Sequence, residues 1–153
     1  EAGKPVLGIC WGHQMLARAL AGDAVCRRAE RPEFGWRHVE LRPNALFEGI
    51  DRLVSAHSHH DEVLDLPDRF RVIASTPDCA VQAFQVEETP VWGIQFHAEI
   101  AHDQGRAMFE RHLREDPSLG LWFHDEMDDP EVLDANALLF ENFFAAGRVD
   151  AGA

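Results

Sequence analysis

The sequence predicts a layered α/β domain. Three observations carry that expectation: a short continuous apolar run near the N-terminus that passes at once into a helical pattern, a middle rich in strand-like segments, and an amphipathic helical pattern towards the C-terminus. With 153 residues there is room for one core, so residues 1–153 are read as a single domain.

Taken in order, "PVLGI" (5–9) is apolar throughout and ended by turn residues, the pattern of a strand covered on both faces. From His13 to Ala21 the apolar residues Met15, Leu16, Ala19 and Leu20 share one helical face, and Gly22 supplies the stop. Cys10 therefore occupies a strand-to-helix turn. Four strands are expected in the middle, "WRHVEL" (36–41), "LVSAH" (53–57), "FRVIAS" (70–75) and "AVQAFQV" (80–86), some of them edge or antiparallel partners. "VWGIQF" (91–96) is a further strand, and "HDQGRAMFERHLRE" (102–115) a helix. The acidic run 124–131 reads as a solvated turn. Asp129 before Pro130 is an N-cap and first-turn pair, opening an apolar helical face through Leu139 and Phe143 that Gly147 closes.

Composition narrows the function. Apolar residues at 46% and charged residues at 27% suit a soluble globular chain, and a formal charge of −13 would repel phosphate backbones and anionic lipids alike. Neither a nucleic-acid nor a membrane partner is expected. No apolar run reaches the roughly 20 residues that span a bilayer, and the N-terminus lacks a signal-peptide pattern, so a cytoplasmic protein is expected. Cys10, Cys26 and Cys79 are odd in number and widely spaced, the pattern of free thiols.

Gly8-x-Cys10-x-Gly12 has the spacing of a nucleophile elbow, a turn tight enough to call for small residues on both sides of the nucleophile. A thiolate there gains from the positive end of the helix dipole, and the backbone N–H of Trp11 is available to an oxyanion forming beside the sulfur. In "GIQFHAE" (93–99), His97 and Glu99 stand two apart and so point to the same side of an extended chain. Such an acid holds an imidazole in one tautomer, which leaves the other nitrogen to pair with or deprotonate the cysteine.

With these motifs in hand, the chain resembles the class I (triad) glutamine amidotransferase family. "KPVLGICWGHQMLARALAG" is similar to the family's nucleophile segment and "VWGIQFHAE" to its His-x-Glu segment, in that order and about 87 residues apart. "EFGWRHVEL" (33–41) and "SHHDEVLDLP" (58–67) are similar to the segment after the elbow helix and to a glutamine-side loop, most nearly as in stand-alone proteins akin to the glutamine domain of GMP synthase. The resemblance implies a flavodoxin-like, mostly parallel sheet with flanking helices. It also implies a triad of Cys10 as nucleophile, His97 as acid/base and Glu99 as its orienting partner, with L-glutamine as substrate and no cofactor or metal. By match to the motif, Gln14 contacts the glutamine, while Ser58, His60 and Asp61 line the loop that holds its α-amino and α-carboxylate ends. The implied reaction passes through a γ-glutamyl thioester to glutamate and ammonia.

The family reads Phe-His-Pro-Glu where this chain has Ala98, a change that loses a rigid φ but keeps His97 and Glu99 in place. It also carries about 80 residues before the elbow strand, including a Gly-rich loop that supplies a second oxyanion donor. The domain is accordingly expected to be N-terminally incomplete, with an ammonia-accepting synthetase or an N-terminal segment as partner. Three alternatives stay open: a γ-glutamyl hydrolase or peptidase of the same fold, a catalytically weak fragment or interaction module, and, from His57-x-His59-x-Asp61, a zinc hydrolase, whose motif expects a further His where Glu62 stands.

Overall fold

The computed structural model describes residues 4–146. Its elements are β1 (Val6–Ile9), α1 (Trp11–Ala21), β2 (Cys26–Leu41), β3 (Leu53–Val63), β4 (Phe70–Thr76), β5 (Cys79–Val86), β6 (Val91–Ile94), α2 (His102–Glu115), β7 (Phe123–Asp125) and α3 (Asp134–Ala146), with short 3-10 turns between. The strands form one sheet in the order β1-β6-β5-β4-β2-β3, with β7 joined to β2. The architecture is the expected α/β sheet with flanking helices. Parallel pairing among the described residues joins β1 to β6, at the elbow, and β2 to β7, whereas the strands between pair antiparallel.

Side-chain alternation along the strands places helices on both faces. In β5, Phe84 and Val86 pack with Ala17 of α1, while Ala83 turns to the opposite face and packs in the cluster that holds Leu139 of α3. Phe84 is fully buried, and such burial contributes roughly 1.5–3 kcal/mol per large apolar side chain. Helix α2 lays Phe109 against Phe34 and Trp36 of β2.

Several expected boundaries move. The strand expected at 36–41 begins ten residues earlier, at Cys26, with a register shift between Arg28 and Glu33. The segment 58–67, expected as a loop, is strand as far as Val63, because β2 supplies a ladder partner that a local reading of its polar residues does not reveal. The acidic run is only partly a turn: His124 and Asp125 belong to β7, which closes on β2 because Gly35 (φ 108) has no Cβ to meet the His124 carbonyl. Asp129 caps as expected, accepting from Glu131 N–H at 3.0 Å, but it caps the 3-10 turn Pro130–Leu133 ahead of α3. Gly147 lies outside the described residues.

Candidate active site

The parallel pair β1 and β6 brings two chain segments side by side, Gly8 opposite Gly93 and Ile9 opposite Ile94. One step beyond the ladder, the Cys10 N–H donates to Ile94 O at 2.8 Å, after which the chain turns directly into α1. Cys10 sits at φ 50, a left-handed conformation that non-glycine residues adopt rarely and at a cost of order 1–3 kcal/mol. The residue is half-buried. A Cβ on Gly8 would lie 2.5 Å from the Gly12 carbonyl oxygen, so Gly8 is required by the tightness of the turn. Gly12 differs from expectation, since a Cβ there would meet nothing within 4 Å among the described residues.

His97 follows β6 on a bend, held by its N–H to Ala56 O of β3 at 2.8 Å. Its Nδ1 lies 2.6 Å from Glu99 Oε1, the pair that the two-residue spacing called for. The neighbouring Cys10 sulfur, then the Glu99 carboxylate, raise the His97 imidazole to about 10 against the opposing effect of burial. Partial burial works to raise the Glu99 carboxyl, but the hydrogen bond with His97, a backbone hydrogen bond at Glu99 and the His97 charge together hold the group below the usual carboxylate range. The arrangement favours a protonated imidazole beside sulfur at neutral pH.

The residue that a reading of the motif passed over is Gln95. It is fully buried, and its Nε2 stands 3.5 Å from Cys10 Sγ with donor geometry. The signal was available: residues 95, 97 and 99 alternate, and a period of two would align all three. Gln14, in the first turns of α1, is also buried and donates through Nε2 to Gln95 Oε1 at 3.1 Å and to Asp61 O at 3.3 Å. Trp11 exposes 71% of its surface, and its N–H, first in α1, has no i−4 carbonyl within the helix.

The remaining candidates divide. Asp61 reaches the site through its backbone carbonyl, while its carboxylate faces Arg28 at 3.9 Å. Ser58 and His60 instead line a cavity of about 240 Å³ between β2, β3 and the C-terminal end of α2, with His112 and Asp116 on its far wall. Nor do His57, His59 and Asp61 converge as a zinc set: His57 Nδ1 is 3.1 Å from Ser55 O, His59 Nε2 2.8 Å from Glu33 Oε2 and His59 Nδ1 3.0 Å from Asp61 O. Glu33, His59 and Cys79 bring ligand atoms within 4.8 Å of one another, but the Glu33 oxygens already accept from Arg37, Thr76 and Gln82. Burial, reinforced by the Glu33 charge, pushes the Cys79 thiol up to about 12, so it keeps its proton. Protein donors fill that cluster.

One of the subunits of GMP synthase (glutamine-hydrolyzing) from Pyrococcus furiosus is 40% identical to this chain over 106 residues, 68% of this chain and 55% of the relative. A GMP synthase subunit protein of Thermoplasma acidophilum is similar in structure at TM-score 0.60 and 33% identity, covering 76% of this chain and 59% of that one. A glutamine amidotransferase of Thermotoga maritima gives TM-score 0.67 at 26% identity, over 94% of this chain and 62% of that one. The chain thus spans little more than half the length of the separate GMP synthase subunits it matches, and about a quarter or less of the longer GMP synthases. Residues 1–115, elbow and His-x-Glu segment included, match the family described as glutamine amidotransferase class-I. On that match, the chain belongs to the class-I glutamine amidotransferase family.

Proposed function

We propose that this chain is the glutamine-hydrolysing domain of an amidotransferase, with Cys10 as nucleophile, His97 as acid and base, and Glu99 as the group that orients and charges His97. The single observation that carries this reading is the strained, partly exposed Cys10 at the head of α1, beside an imidazole that Glu99 holds by Nδ1. The Cys10 thiolate attacks the side-chain amide carbon of L-glutamine, and the oxyanion that forms is met by the Trp11 N–H at the positive end of α1. As the tetrahedral state collapses, the C–N bond breaks and protonated His97 gives its proton to the departing nitrogen, which leaves as ammonia. The now neutral imidazole takes a proton from water, whose hydroxide attacks the γ-glutamyl thioester. Glutamate leaves, the thiolate returns, and His97 is again protonated.

Names of relatives support a synthetase partner as acceptor of the ammonia. By match to the family's motif, Gln14, Ser58, His60 and Asp61 are proposed to bind the substrate. Here Gln14 and Asp61 belong to the Cys10 side, through an amide and a backbone carbonyl respectively, whereas Ser58 and His60 would serve only through a substrate reaching their cavity.

The test is incubation with a glutamine-analogue alkylator, read by site-resolved mass spectrometry, beside assays for glutamate and ammonia from L-glutamine. The expected result is label on Cys10 and release of ammonia, both lost by about 10³-fold or more in Cys10→Ala. Absence of analogue label on Cys10 would overturn the proposal, and turnover of γ-glutamyl conjugates in preference to glutamine would favour the hydrolase alternative.

A further inference from the structure

Two glutamine amides form a wire from β3 to the elbow. The Asp61 carbonyl oxygen can only accept, so the Gln14 amide must turn its NH₂ group towards it, and that same NH₂ reaches Gln95 Oε1. With its oxygen committed to Gln14, Gln95 has its own NH₂ left facing Cys10 Sγ. The backbone of Gln95 is pinned as well, its N–H donating to Gln82 O at 2.7 Å. A side chain with no solvent exposure, fixed at both ends, thus aims a donor at the one partly exposed thiol of the elbow.

We infer that Gln95 is a positioning residue for Cys10: its amide N–H holds the sulfur in place and favours the ionised form of the thiol. The inference rests on the reading of Cys10 as nucleophile and adds a residue to that site. A hydrogen bond to a thiolate is charge-assisted and stronger than one to a neutral thiol, so a fixed donor shifts the balance towards the anion. Gln14 then has a role that needs no contact with substrate, namely to fix which way the Gln95 amide is turned.

The experiment follows alkylation of Cys10 by iodoacetamide across pH, with site-resolved mass spectrometry and with Cys26, which is partly exposed in the same chain, as internal reference. Gln95→Glu replaces the donor by a carboxylate of nearly the same shape, and the midpoint of the Cys10 profile is expected to rise by about one pH unit or more. Gln95→Met, which removes the donor and keeps the bulk, should raise it by less, and Gln14→Met by less again, while the Cys26 midpoint stays in place. Should Gln95→Glu fail to fold, Gln95→Met carries the test. A folded Gln95 variant with lowered melting temperature and an unmoved Cys10 midpoint has lost packing alone, and that result overturns the inference while leaving the nucleophile standing. A wild-type Cys10 profile that coincides with that of Cys26 overturns both.

Discussion

Cys10, His97, Glu99 and Gln95 at the elbow have counterparts of the same chemical kinds in Cys79, His59, Glu33 and Gln82, enclosed where β2, β3 and β5 meet. The two groups differ in solvent access and in how many donors converge on the carboxylate. In the enclosed group Glu33 accepts from Arg37, His59, Thr76 and Gln82, and Arg37 goes on to Asp78 at 2.7 Å. Burial works to raise the Glu33 carboxyl, but the hydrogen bond with His59 and its other polar neighbours bring it down to about 2. At the elbow Cys10 and His97 are only partly buried. One group is a set of charges and hydrogen bonds enclosed between strands, and the other opens to solvent. Residue types alone do not make a site; an unused donor or nucleophile within reach of solvent does.

The largest test of this contrast is acid. Burial lowers His13 to about 3 and His57 to about 4, so both are neutral in the fold, and each gains a proton more readily once unfolded. A histidine with a depressed folded value contributes stability that is whole above its unfolded value near 6.5 and is lost as pH falls towards the folded one. Glu33 adds a loss of the same sign below about 4.5. Urea unfolding at stepped pH should show stability falling by on the order of 5 kcal/mol between pH 6.5 and 4. A flat profile over that window would mean that His13 and His57 are reached by water in the fold. The sign at His97 is opposite: its raised value contributes below pH 6.5 and the contribution fades as pH climbs towards 10.

Next in size is removal of one carboxylate from each group. Glu33→Gln leaves Arg37 buried without its nearest anion and should cost about 3–5 kcal/mol in urea unfolding. Glu99→Gln, at a half-exposed position, should cost under about 1 kcal/mol and instead move the His97 imidazole titration, followed by NMR, downwards. Equal destabilisation by the two changes would erase the distinction.

The smallest effect concerns the two glycines around Cys10. Gly8→Ala drives a methyl group into the Gly12 carbonyl and the Leu16 side chain and should cost about 1–3 kcal/mol, whereas Gly12→Ala, inside a helix with open space, should stabilise by about 0.5–1 kcal/mol. Thermal melts of the two variants moving in the same direction would contradict the elbow geometry.

Much of this was legible in the chain itself. Helix α2 stands at its expected bounds, β4 and β5 within a residue of theirs, because their periodicity and flanking turn residues are local signals. Those of β2 and β3 were not, since their extra length is largely polar and is held by ladders to each other and, at Phe34 and Gly35, to β7.

What the sequence by itself determined is whatever depends on a few consecutive residues: a cysteine at a strand-to-helix turn that glycine precedes, and an imidazole two residues from its carboxylate. Tertiary structure alone decided which Cys, His and Glu stay reachable and which are sealed, that Asp61 meets Gln14 through its carbonyl while Ser58 and His60 face another cavity, and that Gln95 points its amide at sulfur. The reason is one of range. Spacing along an element sets direction over a few ångströms, whereas burial and the choice of hydrogen-bond partner are set by segments dozens of residues apart, which meet only when the sheet closes.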